Sequence, residues 1–296
     1  MTAARRPNLF LIGAMKSGTN TLHRLLAAHP DVFMTTKPKE PNWFAGGNSA
    51  KSEDWYLGLF SDAGNATYVG EASTDYTRAP RLKGAAEKIK RFSPEARFLY
   101  ILRDPLDRAL SHYWWDVQYS AEVRSFLVAA SRSREIIDVG NYAMQLAPYL
   151  ELFGRDRVHV LTLEALTHDA PKVLGHLWDF LDIAPADVTG GAPPQRFNPG
   201  RAAVPRIPGS ALFSHLKETP LWAVAKSVVP AKVRRQTIAA LARPVERTLR
   251  VEDLNEAADA LRPRLLQETR ALSEMLGREF PEWAWLHGGP APIAPR

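Results

Sequence analysis

Residues 9–26, LFLIGAMKSGTNTLHRLL, run from an unbroken apolar stretch, through a loop bracketed by Gly13 and Gly18, into a segment with Leu22, Leu25 and Leu26 at helical spacing. A buried strand that feeds a glycine turn and then a helix commits the chain to crossover connections and a parallel sheet, since only antiparallel strands can be joined by a hairpin. The loop also poses a chemical problem. In the ordinary nucleoside-triphosphate loop, G-x-x-x-x-G-K-[ST], the lysine follows the second glycine. Here the glycine separation is kept, Thr19 takes that place, and Lys16 lies between the glycines. Glycines at such a junction let backbone N–H groups close round an anion at a helix N-terminus, where the dipole favours negative charge. Lys16 adds a point charge, and Ser17, Thr19 and Thr21 add hydroxyl donors. The stretch is a candidate phosphate or sulfate site; the alternative is a tight turn with an exposed lysine.

Short apolar strands alternate with helical patterns along the first two thirds of the chain, the signature of an α/β fold with a central parallel sheet flanked by helices. The first strand is expected at about Asn8 to Ala14, with a helix ending before His29-Pro30, because a residue preceding proline is steered out of the helical region. DVFM and TYVGEAS (Thr67 to Ser73) read as strands, APRLKGAAEKIKRFS as a helix, and RFLYILRDP as the strongest strand. DVGNYAMQLAPYLELFG and VHVLTLEAL supply a further helix and strand. From Gly190 to Gly209 proline, glycine and arginine predict an irregular loop. Basic helical stretches and one amphipathic helix, LNEAADALRPRLLQETRALSEMLG, follow, and 287–296 reads as a disordered tail. With 296 residues, 45% hydrophobic and 24% charged, one domain over 1–296 is expected: a P-loop-like core at about 8–185, the 190–209 loop, and a helical C-terminal appendage at about 210–286. There is no cysteine, which excludes disulfides, thiolate catalysis and cysteine-bound zinc. The net charge of +6 suits an anionic ligand as well as it suits a generally basic protein. No apolar run matches a signal peptide or a membrane span, and a bacterial cytoplasmic location is expected.

A second constellation is YILRDPLDRALSHYWWD. Asp104 is a natural N-cap and Pro105 a good first helical residue, so the helix start is well specified. Arg103 sits at the mouth of the strand, and Ser111 lies about two turns into the helix. Either Arg103 turns toward the face with Arg108 and Ser111, and a cationic fork and a hydroxyl meet one small anion, or it pairs with Asp104 or Asp107 at the surface.

Together, GAMKSGTNTL and ILRDPLDRALSHY resemble the sulfotransferases that use 3′-phosphoadenosine 5′-phosphosulfate as donor. The resemblance implies that Lys16, Ser17, Gly18, Thr19 and Asn20 hold the phosphosulfate, and that Arg103 and Ser111 hold the 3′-phosphate. It also offers a reason for the displaced lysine: a donor with no γ-phosphate and no bridging magnesium needs its cation at the leaving phosphate. TTKPKEPNWF is similar to the segment that carries the catalytic glutamate in bacterial and heparan sulfate type members, which makes Glu40 the implied general base. YVGEASTDY resembles the next element, although Ala72 stands where the heparan branch often has lysine. NYAMQLAPYLELFGRDRVHVLTLEAL and ALSEMLGREFPEW match later elements, and RFNPGRAAVPR stands where the family closes over the nucleotide, so Arg201 and Arg206 are candidate clamps on the donor. The phenol and steroid branch stacks a tryptophan on adenine where this chain has Asn20-Thr21, and its catalytic histidine has no obvious counterpart here.

Sulfuryl transfer requires proton removal from the acceptor, in-line placement of the moving group and neutralisation of the departing phosphate. Glu40 can take the proton where burial raises its pKa above about 4.3, and Lys16 can stabilise the bridging oxygen. Glu40 could instead be a surface carboxylate paired with Lys37 or Lys39. Glu71 is the rival base, with His23 and His112 behind it. Trp43, Phe44, Trp114 and Trp115 line either a pocket or the core. Arg201, Arg206 and Asn198 are equally compatible with solvated positions. The resemblance implies no metal and no nucleic-acid partner. It allows a carbohydrate, lipid or small natural product as acceptor, selected by loops at 45–65 and 119–138. A P-loop kinase and a non-catalytic nucleotide-binding protein remain as alternatives. The kinase would require a lysine after Gly18 and a magnesium-binding aspartate at a strand end; the binding protein would have no use for a base at position 40.

Overall fold

The apolar strands of the sequence form one sheet in the computed structural model, which describes residues 5–119, 125–190, 203–206, 243–246 and 251–289. Strands β1 (Leu9–Gly13), β2 (Val32–Met34), β3 (Tyr68–Ala72), β4 (Arg97–Leu102) and β5 (Val158–Thr162) pair in parallel in the order β2-β3-β1-β4-β5. β1 is buried along its whole length because both faces are covered, which is why it reads as a continuous apolar run and not an alternating one. Its side chains divide between two cores. Phe10 and Ile12 pack with Phe98, Tyr100 and Val69 beneath α3 (Ala85–Phe92), α4 (Pro105–Tyr119) and α7 (Tyr142–Phe153). Leu9 and Leu11 pack with Leu99 and Ile101 beneath α1 (Thr19–Ala27) and α9 (Ala170–Leu181). The helix read at the C-terminal end is α10 (Val251–Leu276), whose Leu254, Ala257, Ala258, Leu261, Leu265 and Leu272 face the first core.

From β1 the chain builds β2 and β3 on one side of β1, then crosses to place β4 and β5 on the other. Between β1 and β4 the winding reverses, and in open α/β sheets the crevice at the carboxyl ends of the strands at such a point is where ligands bind. The loops after β3, β1 and β4 therefore open side by side at one end of the sheet.

Several boundaries differ from the sequence reading. VHVLTLEAL is a strand only to Thr162, whose hydroxyl accepts the Ala165 N–H at 3.3 Å and starts α8 (Leu163–His168). APRLKGAAEKIKRFS is helical only from Ala85. The stretch 45–65 holds α2 (Glu53–Gly58), capped by the Ser52 hydroxyl, and 119–138 holds α5 (Phe126–Arg132) and α6 (Arg134–Asp138). Part of the expected irregular loop and part of the expected basic helices form an antiparallel ribbon of β6 (Ala203–Arg206) and β7 (Arg243–Glu246). Pro205 and Pro244 stand opposite each other there, and proline within a segment opposes helix continuation. A short 3-10 turn, Ala284–His287, follows α10, and 290–296, most of the expected tail, lie outside the described residues. Among the described residues no helix is long and apolar enough to cross a membrane.

Candidate active site

The loop after β1 is shaped by close approach. A side chain at Gly13, whose φ is +147°, would bring a Cβ within 2.2 Å of the Thr77 hydroxyl, and one at Gly18, at φ +92°, within 2.7 Å of a Leu163 methyl. Lys16 itself sits at φ +73°, a conformation non-glycine residues rarely adopt and one that concentrates at functional sites. Gly18 precedes α1 with no side-chain cap, which leaves the positive end of the helix to whatever anion enters the loop. Ser17 is fully buried beside the Tyr142 hydroxyl, and its own hydroxyl oxygen has no hydrogen-bond partner among the described residues. An orphaned buried hydroxyl at an uncapped helix start fits a phosphate or sulfate oxygen, which would supply the missing partner. Thr19 and Thr21 are buried and Asn20 half-buried on the first turn of α1.

Arg103 leaves β4 at the same end of the sheet. Its backbone is pinned: the Tyr142 hydroxyl donates to the Arg103 carbonyl at 2.6 Å. Its guanidinium pairs with Asp107 at 3.1 Å, so the surface pairing foreseen from the sequence is the one present. Asp104 caps α4 through bonds from the Leu106 and Asp107 N–H groups, and burial pushes its carboxyl up to about 7. Ser111 is half-buried on α4, against which β6 with Arg206 at its end also packs. Arg108 does not join an anion fork. It is fully buried, donating to the Ile136 carbonyl and reaching His112 at 3.4 Å. Arg201 and Asn198 lie outside the described residues.

Glu40 reaches the cleft from the segment after β2. One oxygen accepts the Thr74 hydroxyl at 2.9 Å and faces the Thr74 N–H at 3.4 Å; the other pairs with Lys39 at 3.2 Å. Its side chain is 34% exposed, so it is accessible to an acceptor and is not the buried carboxylate the sequence reading required. Glu71, on β3, is the reverse. It is completely enclosed, with hydroxyls of Tyr56, Ser73 and Tyr76 donating to its two oxygens, and desolvation pushes it up to about 7 against those three bonds. His23 is buried against the Thr35 carbonyl at 2.9 Å and lowered by that burial, while His112 falls to about 2 through burial and the Arg108 charge. Trp43, stacked on Tyr56 with centroids 4.4 Å apart, Phe44 and Trp114 pack with the core, and Trp115 is half-buried.

The fold thus brings the 16–20 loop, Arg103 and Glu40 to the carboxyl-end edge of one sheet, after β1, β4 and β2 respectively, with Glu40 bonded to Thr74 behind the intervening β3. Residues that sequence reasoning left without a role are Tyr142, which bonds the Arg103 carbonyl and lies beside Ser17, and the hydroxyl-rich run Ser73 to Thr77. The available signal was four hydroxyl residues packed directly behind a strand.

A sulfotransferase domain profile matches residues 6–190, which include the loop, Glu40, Arg103 and Ser111. The chain is 26% identical over 199 residues to the bifunctional heparan sulfate N-deacetylase/N-sulfotransferase 1 of Caenorhabditis briggsae, covering 60% of this chain and 23% of that protein. It is 28% identical over 186 residues to the heparan sulfate glucosamine 3-O-sulfotransferase 3B1 of Mus musculus, covering 60% and 46% respectively. The chain thus matches less than half the length of either relative. A solved sulfotransferase from Alicyclobacillus acidocaldarius shares the fold, with a TM-score of 0.61 at 24% identity over 95% of this chain and 99% of that one.

Proposed function

Because the chain belongs to the sulfotransferase domain family, we propose that it transfers the sulfuryl group of 3′-phosphoadenosine 5′-phosphosulfate to a carbohydrate acceptor, at a hydroxyl or, as the second choice, an amine. The observation that carries this reading is the convergence of an uncapped helix start with a displaced lysine, an arginine and an accessible carboxylate after strands β1, β4 and β2, the carboxylate being bonded to Thr74 behind β3. The two heparan sulfate relatives, named for N- and O-sulfation, favour a sugar over a lipid.

In this reading the loop amides, Lys16 and Ser17 take the 5′-phosphosulfate, and Arg103 with Ser111 takes the 3′-phosphate once Arg103 exchanges Asp107 for the ligand. Glu40 accepts the acceptor proton. The acceptor atom bonds to sulfur as the bond from sulfur to the bridging oxygen breaks, and the electron pair left on the 5′-phosphate is held by Lys16. Such stabilisation of developing charge is commonly the largest catalytic term. Thr74 and Lys39 orient the Glu40 carboxylate before the proton arrives.

Calorimetric titration with adenosine 3′,5′-bisphosphate, against ATP with magnesium, tests the donor site. The bisphosphate should bind in the micromolar range and ATP much more weakly; preference for ATP would overturn the reading in favour of a kinase. Transfer of labelled sulfate to a desulfated heparan oligosaccharide tests the base. Glu40→Gln should keep bisphosphate affinity and lose about 10²- to 10⁴-fold in turnover, the usual scale for a general base.

A further inference from the structure

The buried carboxylate of Glu71 has no surface through which an acceptor could reach it, yet it is surrounded by groups that lead directly to Glu40. Ser73 donates to one Glu71 oxygen, and the same Ser73 oxygen accepts the Asn42 N–H at 2.9 Å. Tyr76 donates to the other at 2.8 Å, and its oxygen accepts the Trp43 N–H at 3.1 Å, with the Phe44 N–H at 3.4 Å. Each hydroxyl spends its only proton on Glu71 and so presents a lone pair to the backbone of 42–44. Asn42 is held there at φ +50°, a left-handed conformation that costs energy for a side-chain-bearing residue and needs its surroundings to impose it. Glu40 lies two residues before this clamped turn and is bonded to Thr74, the residue after Ser73.

The other end of the same run touches the donor loop. Thr77 donates to the Ile12 carbonyl at 2.6 Å, and its hydroxyl is the group that a Cβ on Gly13 would strike. The run 73–77 therefore stands between the base segment and the glycine loop, bonded to the first and to the end of β1 that leads into the second. A carboxylate that fixes the rotamers of Ser73 and Tyr76 fixes the separation of the two halves of the site.

We propose that Glu71 is a positioning residue: through the Ser73 and Tyr76 hydroxyls it locks the Asn42–Phe44 backbone and so holds Glu40 at a fixed offset from the donor loop. This rests on the reading of Glu40 as general base. In-line transfer depends steeply on such an offset, since a displacement near 1 Å can cost about a hundredfold in rate.

The test uses the full chain as wild type, Glu71→Gln, Ser73→Ala and Tyr76→Phe. Amide hydrogen exchange is read at residues 42–44 and, as an internal reference, at Thr21 and Leu22 of α1, whose N–H groups bond the Gly18 carbonyl. Protection at 42–44 should fall about tenfold or more in each variant while the α1 amides hold, because only the former depend on the hydroxyl relay. Turnover on the desulfated heparan oligosaccharide should fall about ten- to a hundredfold, with KM for the donor within about twofold of wild type. In the Glu40→Gln background the same substitutions should cost nothing further, because there is no base left to misplace. Unchanged exchange at 42–44, or a lowered melting temperature with wild-type turnover of the folded protein, overturns the proposal. If Glu71→Gln does not fold, Ser73→Ala and Tyr76→Phe carry the test, since both leave the carboxylate in place. Should Glu40→Gln alone keep full turnover, the general-base reading falls, and exchange at 42–44 still decides whether Glu71 holds that segment.

Discussion

The loop proposed to hold the donor and the segment proposed to hold the base follow different logics although both stand at the carboxyl end of one sheet. The donor loop is built from backbone: two glycines, a left-handed lysine and an uncapped helix start, all within six residues of one another. The base segment is held by side chains from elsewhere, with Thr74 on Glu40, Ser73 on Asn42, and Tyr76 on Trp43 and Phe44. A phosphate presents the same oxygens in every donor molecule, so a rigid backbone cradle suits it. An acceptor varies, and a base hung on side-chain hydroxyls can be re-aimed by substitution without rebuilding the sheet. The two carboxylates repeat the contrast: Glu40 is accessible and Glu71 enclosed.

The sharpest way to break this division is to remove the cation of the rigid half. Lys16→Ala should cost about 10²- to 10³-fold in sulfate transfer, as loss of one preorganised donor to a developing oxyanion does elsewhere. It should also weaken bisphosphate binding, whereas Glu40→Gln should spare binding entirely; titration beside turnover separates the two halves. If both substitutions behave alike, the halves are not independent.

Next in size is the shape of the cradle. Gly13→Ala drives a Cβ toward the Thr77 hydroxyl and, at 3.2 Å, the Tyr100 ring, both in packed surroundings. A cost on the order of 3 kcal/mol in urea unfolding is expected, from overpacking together with backbone strain. Gly18→Ala meets only the end of the Leu163 side chain, which can swing away, so it should cost less while still weakening bisphosphate binding. Equal costs would mean that backbone strain, not the Thr77 contact, governs the loop.

Arg103→Ala should lower bisphosphate affinity by about ten- to a hundredfold, the scale of a lost charge-assisted hydrogen bond. Its effect is tempered because the free arginine already has Asp107 as a partner that the ligand must displace. Arg103→Lys should restore only part of the loss, since an ammonium cannot offer a planar fork. Indifference to both would assign Arg103 to its ion pair with Asp107 alone.

How much of this was legible in the sequence follows the same division. The β1 loop, the Arg103 to Ser111 element and the Asp104 cap could be read because their geometry is set by glycines, a proline and a cap within a few residues. The split of VHVLTLEAL at Thr162 and the β6–β7 ribbon could not, because a capping hydroxyl and a pairing some forty residues distant decide them. Arg108 looked like an anion ligand by helical spacing, but burial turned it toward the Ile136 carbonyl. Glu71 read as a rival base because its strand-end position was visible while Tyr56, fifteen residues earlier, was not visibly its partner.

The last effect is a slope. Glu71 is raised by burial from an ordinary 4.5 to about 7, so between those values the native chain holds a proton that the unfolded chain has released. Native stability therefore falls as pH rises across that window and levels off above it, with a limiting contribution of about 1.4 kcal/mol per pH unit for one proton. His112, lowered to about 2, and His159, lowered to about 4, work the other way: the unfolded chain binds their protons first, so their contributions rise with pH up to about 6.5. The net curve mixes these signs and cannot be assigned to one group. The difference between wild type and Glu71→Gln removes only the Glu71 part, so the variant should gain on wild type steadily from pH 4.5 to 7 and hold that gain above. A flat difference would mean that the three hydroxyls keep Glu71 ionised in spite of burial. Its hold on the 42–44 backbone would then be that of a permanent charge.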